Sequence, residues 1–328
     1  MADNLTNPYI SAPSIINRAG GADRLDRKVS QWIEPYAAGA AFDVGLIGVP
    51  LSRSSISASA ASENPNAMRL AWKGFGTWYA DYDTDVCDLR VCDIGDIKMH
   101  VTDILQCQSN IEAGLTQLYQ DIPDMIPVVI GGDHSITRPS LKAFANANPG
   151  KTIGLIQFDT HFDVRNLEDS GPSNGTPFRG LLQDGVIRGE NIVQIGIHGF
   201  SNATPYRDYV REQGITTYTM RQVRQKGAEA LVKQAASELS KRVDLIYVTV
   251  DIDVLDISHC PGSPGAAPGG MMSWELFDAV YHLGLEPKVQ ALDLVELDPF
   301  RDIAQISVKT GCHTILSFLA GVRNRLKA

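Results

Sequence analysis

VDLIYVTVDIDVLD, residues 243–256, decides the architecture. Its middle is apolar almost without interruption, the pattern of a strand covered on both faces rather than one with a wet side. It then runs straight into Asp251 and Asp253. Working outward, IPVVIGG at 126–132, TIGLIQF at 152–158, NIVQIGI at 191–197 and KVQALDLVEL at 288–297 read the same way, and DVGLIGV at 43–49 and DLRVCDIGD at 88–96 also read as strands. Helical patterns lie between them, from Asn66 to Lys73, near 103–119, at 227–242 and at 274–284. This alternation predicts an α/β fold whose largely parallel sheet carries helices on both faces. No linker rich in Pro, Gly and Ser and no short repeat divides the chain. The expected organisation is one domain over 1–328, with residues 1–40 an N-terminal extension packed on it.

Bulk properties remove several function classes. The formal net charge of -9 is the opposite of the footprint that holds phosphate backbones, so nucleic acid is not expected as a partner. No stretch approaches about 18 continuous apolar residues, so no membrane span is expected. The start, MADNLTNPYISAPSIINRAGG, lacks a basic segment followed by an apolar run, which leaves the cytoplasm as the expected compartment. Cys87, Cys92, Cys107, Cys260 and Cys312 form an odd set without CxxC pairs, as reduced thiols do.

Four strands end in groups that do not belong in a core: VVIGGDHS at 128–135, LIQFDTHFD at 155–163, IYVTVDIDVLD at 246–256 and ALDLVELD at 291–298. Uncompensated carboxylates there would cost several kcal/mol each, so such a cluster requires cations or neutralisation. Asp159, His161 and Asp163 are spaced by two, as are Asp251 and Asp253, which points each set to one side of an extended backbone. His134 adds an imidazole beside a Gly-rich turn. A lone DxH or DxD at a strand end is ordinarily a cap or turn residue. Behind four separate strands, four carboxylates and two histidines instead match the charge of two divalent ions. A thiol-free O/N set suits manganese better than zinc, with nickel or cobalt as substitutes. Two adjacent metals can activate water at neutral pH.

At these residues the sequence resembles the ureohydrolases, the family of arginase, agmatinase and formimidoylglutamase. GGDHS at 131–135, DTHFD at 159–163, VDIDVLD at 250–256 and LVELDP at 294–299 match its four signatures in order, and DIGDI at 93–97 is typical. The resemblance, over roughly 43–325, implies a three-layer arginase-like fold. It implies one metal held by His134, Asp159, Asp163 and Asp251, and a second by Asp159, His161, Asp251 and Asp253. It further implies that Asp163 also holds the hydroxide and passes its proton to the leaving nitrogen, that Glu296 pairs with a cationic amidine, and that subunits assemble as trimers or hexamers.

GVPLSRSSIS at 48–57, FDVRN at 162–166 and SNGTPFRGLL at 173–182 resemble the formimidoylglutamase branch, which implies release of glutamate and formamide from N-formimidoyl-L-glutamate. Asn174 falls where arginases carry a proton-shuttling histidine, DTH replaces the usual DAH, and Ile257 replaces a proline. No metal ligand is lost. Arg165 and Arg179 suit a substrate bearing carboxylates, which guanidinium forks hold bidentately, and would repel a cationic tail. Asn166, Ser173, Asn174 and Thr176 are further substrate-contact candidates. His198 and His259 stand in loops near the expected site, Cys260 is near the metals, and His100, His282 and His313 read as core or surface residues.

Three other readings compete. A guanidinobutyrase, agmatinase, arginase or guanidinase keeps the chemistry and changes the substrate. A single-zinc deacylase of the related deacetylase fold leaves His134 and Asp253 surplus. A non-catalytic relative would have lost ligands, and all six are present.

Overall fold

A computed structural model describes residues 7–18, 21 and 23–327. The central sheet has ten strands: β1 (Ile10–Ser11), β2 (Glu34–Pro35), β3 (Val44–Val49), β4 (Val91–Ile97), β5 (Ile126–Gly131), β6 (Ile153–Phe158), β7 (Ile192–Ile197), β8 (Thr216–Thr219), β9 (Leu245–Asp251) and β10 (Val289–Val295). They lie in the order β1-β4-β3-β5-β10-β9-β6-β7-β8, with β2 also alongside β4. Every pairing is parallel except β1 with β4, where Ile10 opposes Ile97. The expected parallel α/β architecture, with helices on both faces of the sheet, is what the chain adopts.

Burial on both faces explains the apolar runs. Along β5, Val128 and Ile130 join one core cluster and Val129 the other. Helices Ala228–Leu239, Ser273–Leu285 and Ile306–Lys327 pack against the first face. Ile104–Asp121 and Thr137–Ala147 pack against the second. Each Val, Leu or Ile taken fully from water contributes about 1.5–3 kcal/mol, so the two clusters clamp the sheet. Among the described residues no helix is long and apolar enough to cross a membrane.

Local differences from the sequence reading have simple causes. The helix expected from Asn66 runs Asn64–Ala71, because Pro65 is suited to a first turn whose N–H groups lack partners. β8 (TTYT) is polar and sits at the sheet edge, and β1 and β2 have two residues each, so none carries a periodic signal. The N-terminal segment is tied down by β1 and by Asn7 Nδ2, which donates to the Gly114 carbonyl at 2.8 Å. In the DIGDI motif, Asp93 and Asp96 flank the buried Arg69 guanidinium at 2.8 Å each.

Candidate metal centre

β5, β10, β9 and β6 are neighbours in the middle of the sheet, so their carboxyl ends deliver the four signatures to one place. His134 Nδ1 lies 2.8 Å from Asp163 Oδ2, 3.1 Å from Asp251 Oδ2 and 3.2 Å from Asp159 Oδ2. His161 Nδ1 lies 2.9 Å from Asp253 Oδ2 and 3.4 Å from Asp159 Oδ1. Two groups able to hold a cation result: His134 with Asp159, Asp163 and Asp251, and Asp159 with His161 and Asp253. Asp159 takes part in both, one oxygen to each side.

The donor chemistry fits divalent metal. His134 is fully buried, its Nε2 is 3.0 Å from Thr249 Oγ1, and its Nδ1 has no properly directed hydrogen bond despite three carboxylate oxygens around it. A nitrogen lone pair and acceptor-only oxygens aimed at one point are what an ion would satisfy. At the second group, a Cβ on Gly265 would meet Asp253 Oδ2 at 2.2 Å and His161 Cε1 at 3.1 Å, so only glycine lets the 258–270 loop pass this close.

Protonation in the metal-free site follows from crowding. Burial pushes the Asp163 carboxyl up to about 6, with the Asp159 charge adding to it. Burial, then Asp253 and Asp159, drive Asp251 well above the carboxylate range. Burial opposes charge on the histidines too, but their carboxylate neighbours overcome it and raise both His134 and His161.

Asp163 and Glu296 have left-handed backbones, φ 49° and 63°, a strained conformation for residues other than glycine. Glu296 is nearly buried, and its Oε1 accepts from the His134 N–H at 2.8 Å and from Asn174 Nδ2 at 3.0 Å. Burial, then the Asp133 charge, push its carboxyl up to about 8.

A cavity of about 110 Å³ opens over these groups, walled by loop residues from three parts of the chain: Ile56 and Ser57, then Arg165, Asn174 and Gly175, then Pro264 and Gly265. Arg165 stands exposed at its mouth, its stem laid across Gly175, with its guanidinium 5.7 Å from the Tyr206 ring. Other sequence candidates lie elsewhere. Arg179 stacks at 3.5 Å on Tyr209 and donates to the Val164 carbonyl at 2.9 Å. Asn166 caps the short helix Leu167–Ser170, and Ser173 and Thr176 bond to each other. His198 bonds to the Gly196 carbonyl and Thr160, and His259 to Ser273. Cys260 is buried in the core.

Sequence reasoning missed the residues behind the ligands. Gln194 donates to Gln157 at 2.7 Å, and Gln157 donates to Asp159 Oδ2 at 2.6 Å, orienting the shared carboxylate from within the sheet. The available signal was a glutamine inside each of two apolar strands, LIQF and IVQIG.

Comparison with known proteins places this arrangement. A family model described as "Arginase family" matches residues 42–321. Formimidoylglutamase from Halalkalibacterium halodurans is 46% identical over 91% of this chain and 93% of its own. The crystal structure of formimidoylglutamase from Bacillus subtilis superposes with a TM-score of 0.89 at 38% identity, covering 93% of this chain and 94% of that one. That of Trypanosoma cruzi formiminoglutamase with Mn²⁺ gives 0.82 at 26% identity, covering 92% and 99%.

Proposed function

The chain belongs to the arginase family and is a ureohydrolase enzyme, and from that premise we propose that it hydrolyses N-formimidoyl-L-glutamate to L-glutamate and formamide at a two-manganese centre. The observation that carries the reading is Asp159 sharing its two oxygens between two buried ligand sets, with Arg165 at the mouth of the cavity above them. The relatives named formimidoylglutamase and the related structure with Mn²⁺ support it.

In this reading His134, Asp159, Asp163 and Asp251 hold one ion, and Asp159, His161, Asp251 and Asp253 the other. Two bound cations would supply charge compensation and water acidified to near neutral pKa. The chain's own groups do the rest. Glu296 faces the cationic formimino nitrogen, with its ionised form held by the His134 N–H and Asn174. Asp163 accepts the proton of the attacking water and delivers it to the glutamate nitrogen as the carbon–nitrogen bond breaks. The water oxygen becomes the formamide oxygen. Arg165 holds a glutamate carboxylate, a contact that the agmatine tail, which has no carboxylate, does not offer.

We read residues 1–328 as one domain that includes the 1–40 extension, resident in the cytoplasm and assembled as a homo-oligomer. The experiment that tests the function is an assay of manganese-loaded protein on formimidoylglutamate, arginine, agmatine, guanidinobutyrate and guanidine, with formamide, urea and ammonia measured separately. Formamide from the first substrate is expected; urea from any other at a higher kcat/KM would overturn the assignment.

A further inference from the structure

Asp293 lies in the middle of β10, fully buried among apolar neighbours, and neither a metal nor a substrate would reach it. No arginine or lysine contacts it; its partners are hydroxyls, and Oδ1 has none. Burial raises its pKa, and the His134 charge, then the Thr249, Thr137 and Tyr247 hydroxyls, only partly offset that. A carboxylate so placed destabilises the fold it sits in, so its use has to be sought in what it organises.

The hydrogen bonds around it run one way. Asp293 Oδ2 accepts from Thr137 Oγ1 at 2.8 Å and from Tyr247 OH at 2.9 Å. Thr137 has then spent its only proton, so toward Thr249 Oγ1, 3.4 Å away, it can only accept. With the Thr249 proton turned to Thr137 or Asp293, both acceptors, its lone pair is left for His134 Nε2 at 3.0 Å. In that arrangement the nitrogen is the donor. Thr137, Thr249, Tyr247 and His134 are all fully buried, so water cannot reverse the chain.

We propose that Asp293 is a positioning residue that fixes His134 in its Nε2–H form through the Thr137 and Thr249 hydroxyls, so that the Nδ1 lone pair is always presented to the metal. The inference rests on the metal centre described above and concerns a residue no ligand set includes. Without the relay, the proton that leaves the ring on metal uptake could come from either nitrogen, and only its loss from Nδ1 gives the binding form.

The test is calorimetric titration of metal-stripped protein with Mn²⁺, alongside its metal-free unfolding temperature, for wild type, Asp293→Asn, Thr249→Val and Thr249→Ser. Thr249→Val and Asp293→Asn should weaken Mn²⁺ binding by about 10- to 100-fold, the usual effect of removing an outer partner of a ligating histidine. Thr249→Ser should restore it, and the metal-free melting temperature of Asp293→Asn should be unchanged or higher. Wild-type affinity in both Thr249→Val and Asp293→Asn, or equal loss in Thr249→Ser, would overturn the inference while leaving the metal centre intact. Wild-type protein that takes up no divalent ion would overturn the metal reading itself.

Discussion

Asn174 Nδ2 donates to Glu296 Oε1 at 3.0 Å, while Asn174 Oδ1 accepts from the Ile56 N–H at 3.0 Å. One amide therefore joins the group facing the amidine to the loop that roofs the cavity. Asn174→Leu keeps the volume and removes both bonds. It should lower kcat/KM for formimidoylglutamate about ten- to a hundredfold, since a hydrogen bond to a charged group is worth about 1.5–3 kcal/mol. Metal content should stay at the wild-type level. Steady-state kinetics with metal analysis decide this, and unaltered kcat/KM would remove Asn174 from any account of the site.

Arg165→Leu deletes a charge-assisted contact at the mouth of the cavity without touching a ligand. The expected loss in kcat/KM is about ten- to a hundredfold for carboxylate-bearing substrates. Arg179→Leu should cost much less, because its guanidinium lies on Tyr209. Equal effects of the two changes on kinetics would contradict the assignment.

Metal uptake should release protons. His134 and His161 are held above their ordinary pKa by neighbouring carboxylates and carry extra protons at neutral pH, and these must leave before the nitrogens can bind metal. Mn²⁺ affinity should therefore fall as pH falls. Chelation should abolish turnover and manganese restore it, while Asp251→Ala should lose metal as well as activity. Calorimetry in buffers of different ionisation enthalpy counts the protons; a pH-independent affinity would refute the account.

Gly265→Ala places a methyl group where Asp253 Oδ2 now lies. The carboxylate must move, so the second ion should be lost selectively and metal content should fall from about two to about one per chain. Elemental analysis after dialysis reads the ratio. Retention of both ions would show that the loop yields more easily than its packing implies.

Arg69→Leu leaves Asp93 and Asp96 facing each other in a partly dry setting without their shared cation. Removing one partner of a buried ion pair costs about 3–5 kcal/mol, and denaturant unfolding should show a loss of that size. A change below about 1 kcal/mol would mean that water reaches the pair.

The candidate ligand positions were legible because each motif follows its own apolar strand, whereas the expected alternation by two is not what joins them: the chain leaves the strand after Phe158, and Asp163 turns back with a left-handed backbone. The supporting residues were not. Thr249, Asp293, Gln157 and Gln194 interrupt strands one at a time, and a single polar residue in a strand carries no sign of the partner it meets across the sheet. Arg165 and Arg179 show the same limit. Both follow a ligand motif, and only the folded chain reveals that Tyr209 takes one of them while the other stands over the cavity. β8 escaped because four polar residues at an edge need no hydrophobic period.

The strand order bears on how the molecule comes into being. β9 and β10 lie between β5 and β6, so residues made late in synthesis fill a gap between strands made earlier. Until β10 has emerged, β5, which precedes His134, has no strand to join it to β9 and β6, although all six candidate ligands have by then been made. Such non-local closure is slow compared with local helix formation. A C-terminal truncation within β10 should give a chain that neither closes its sheet nor retains the ion.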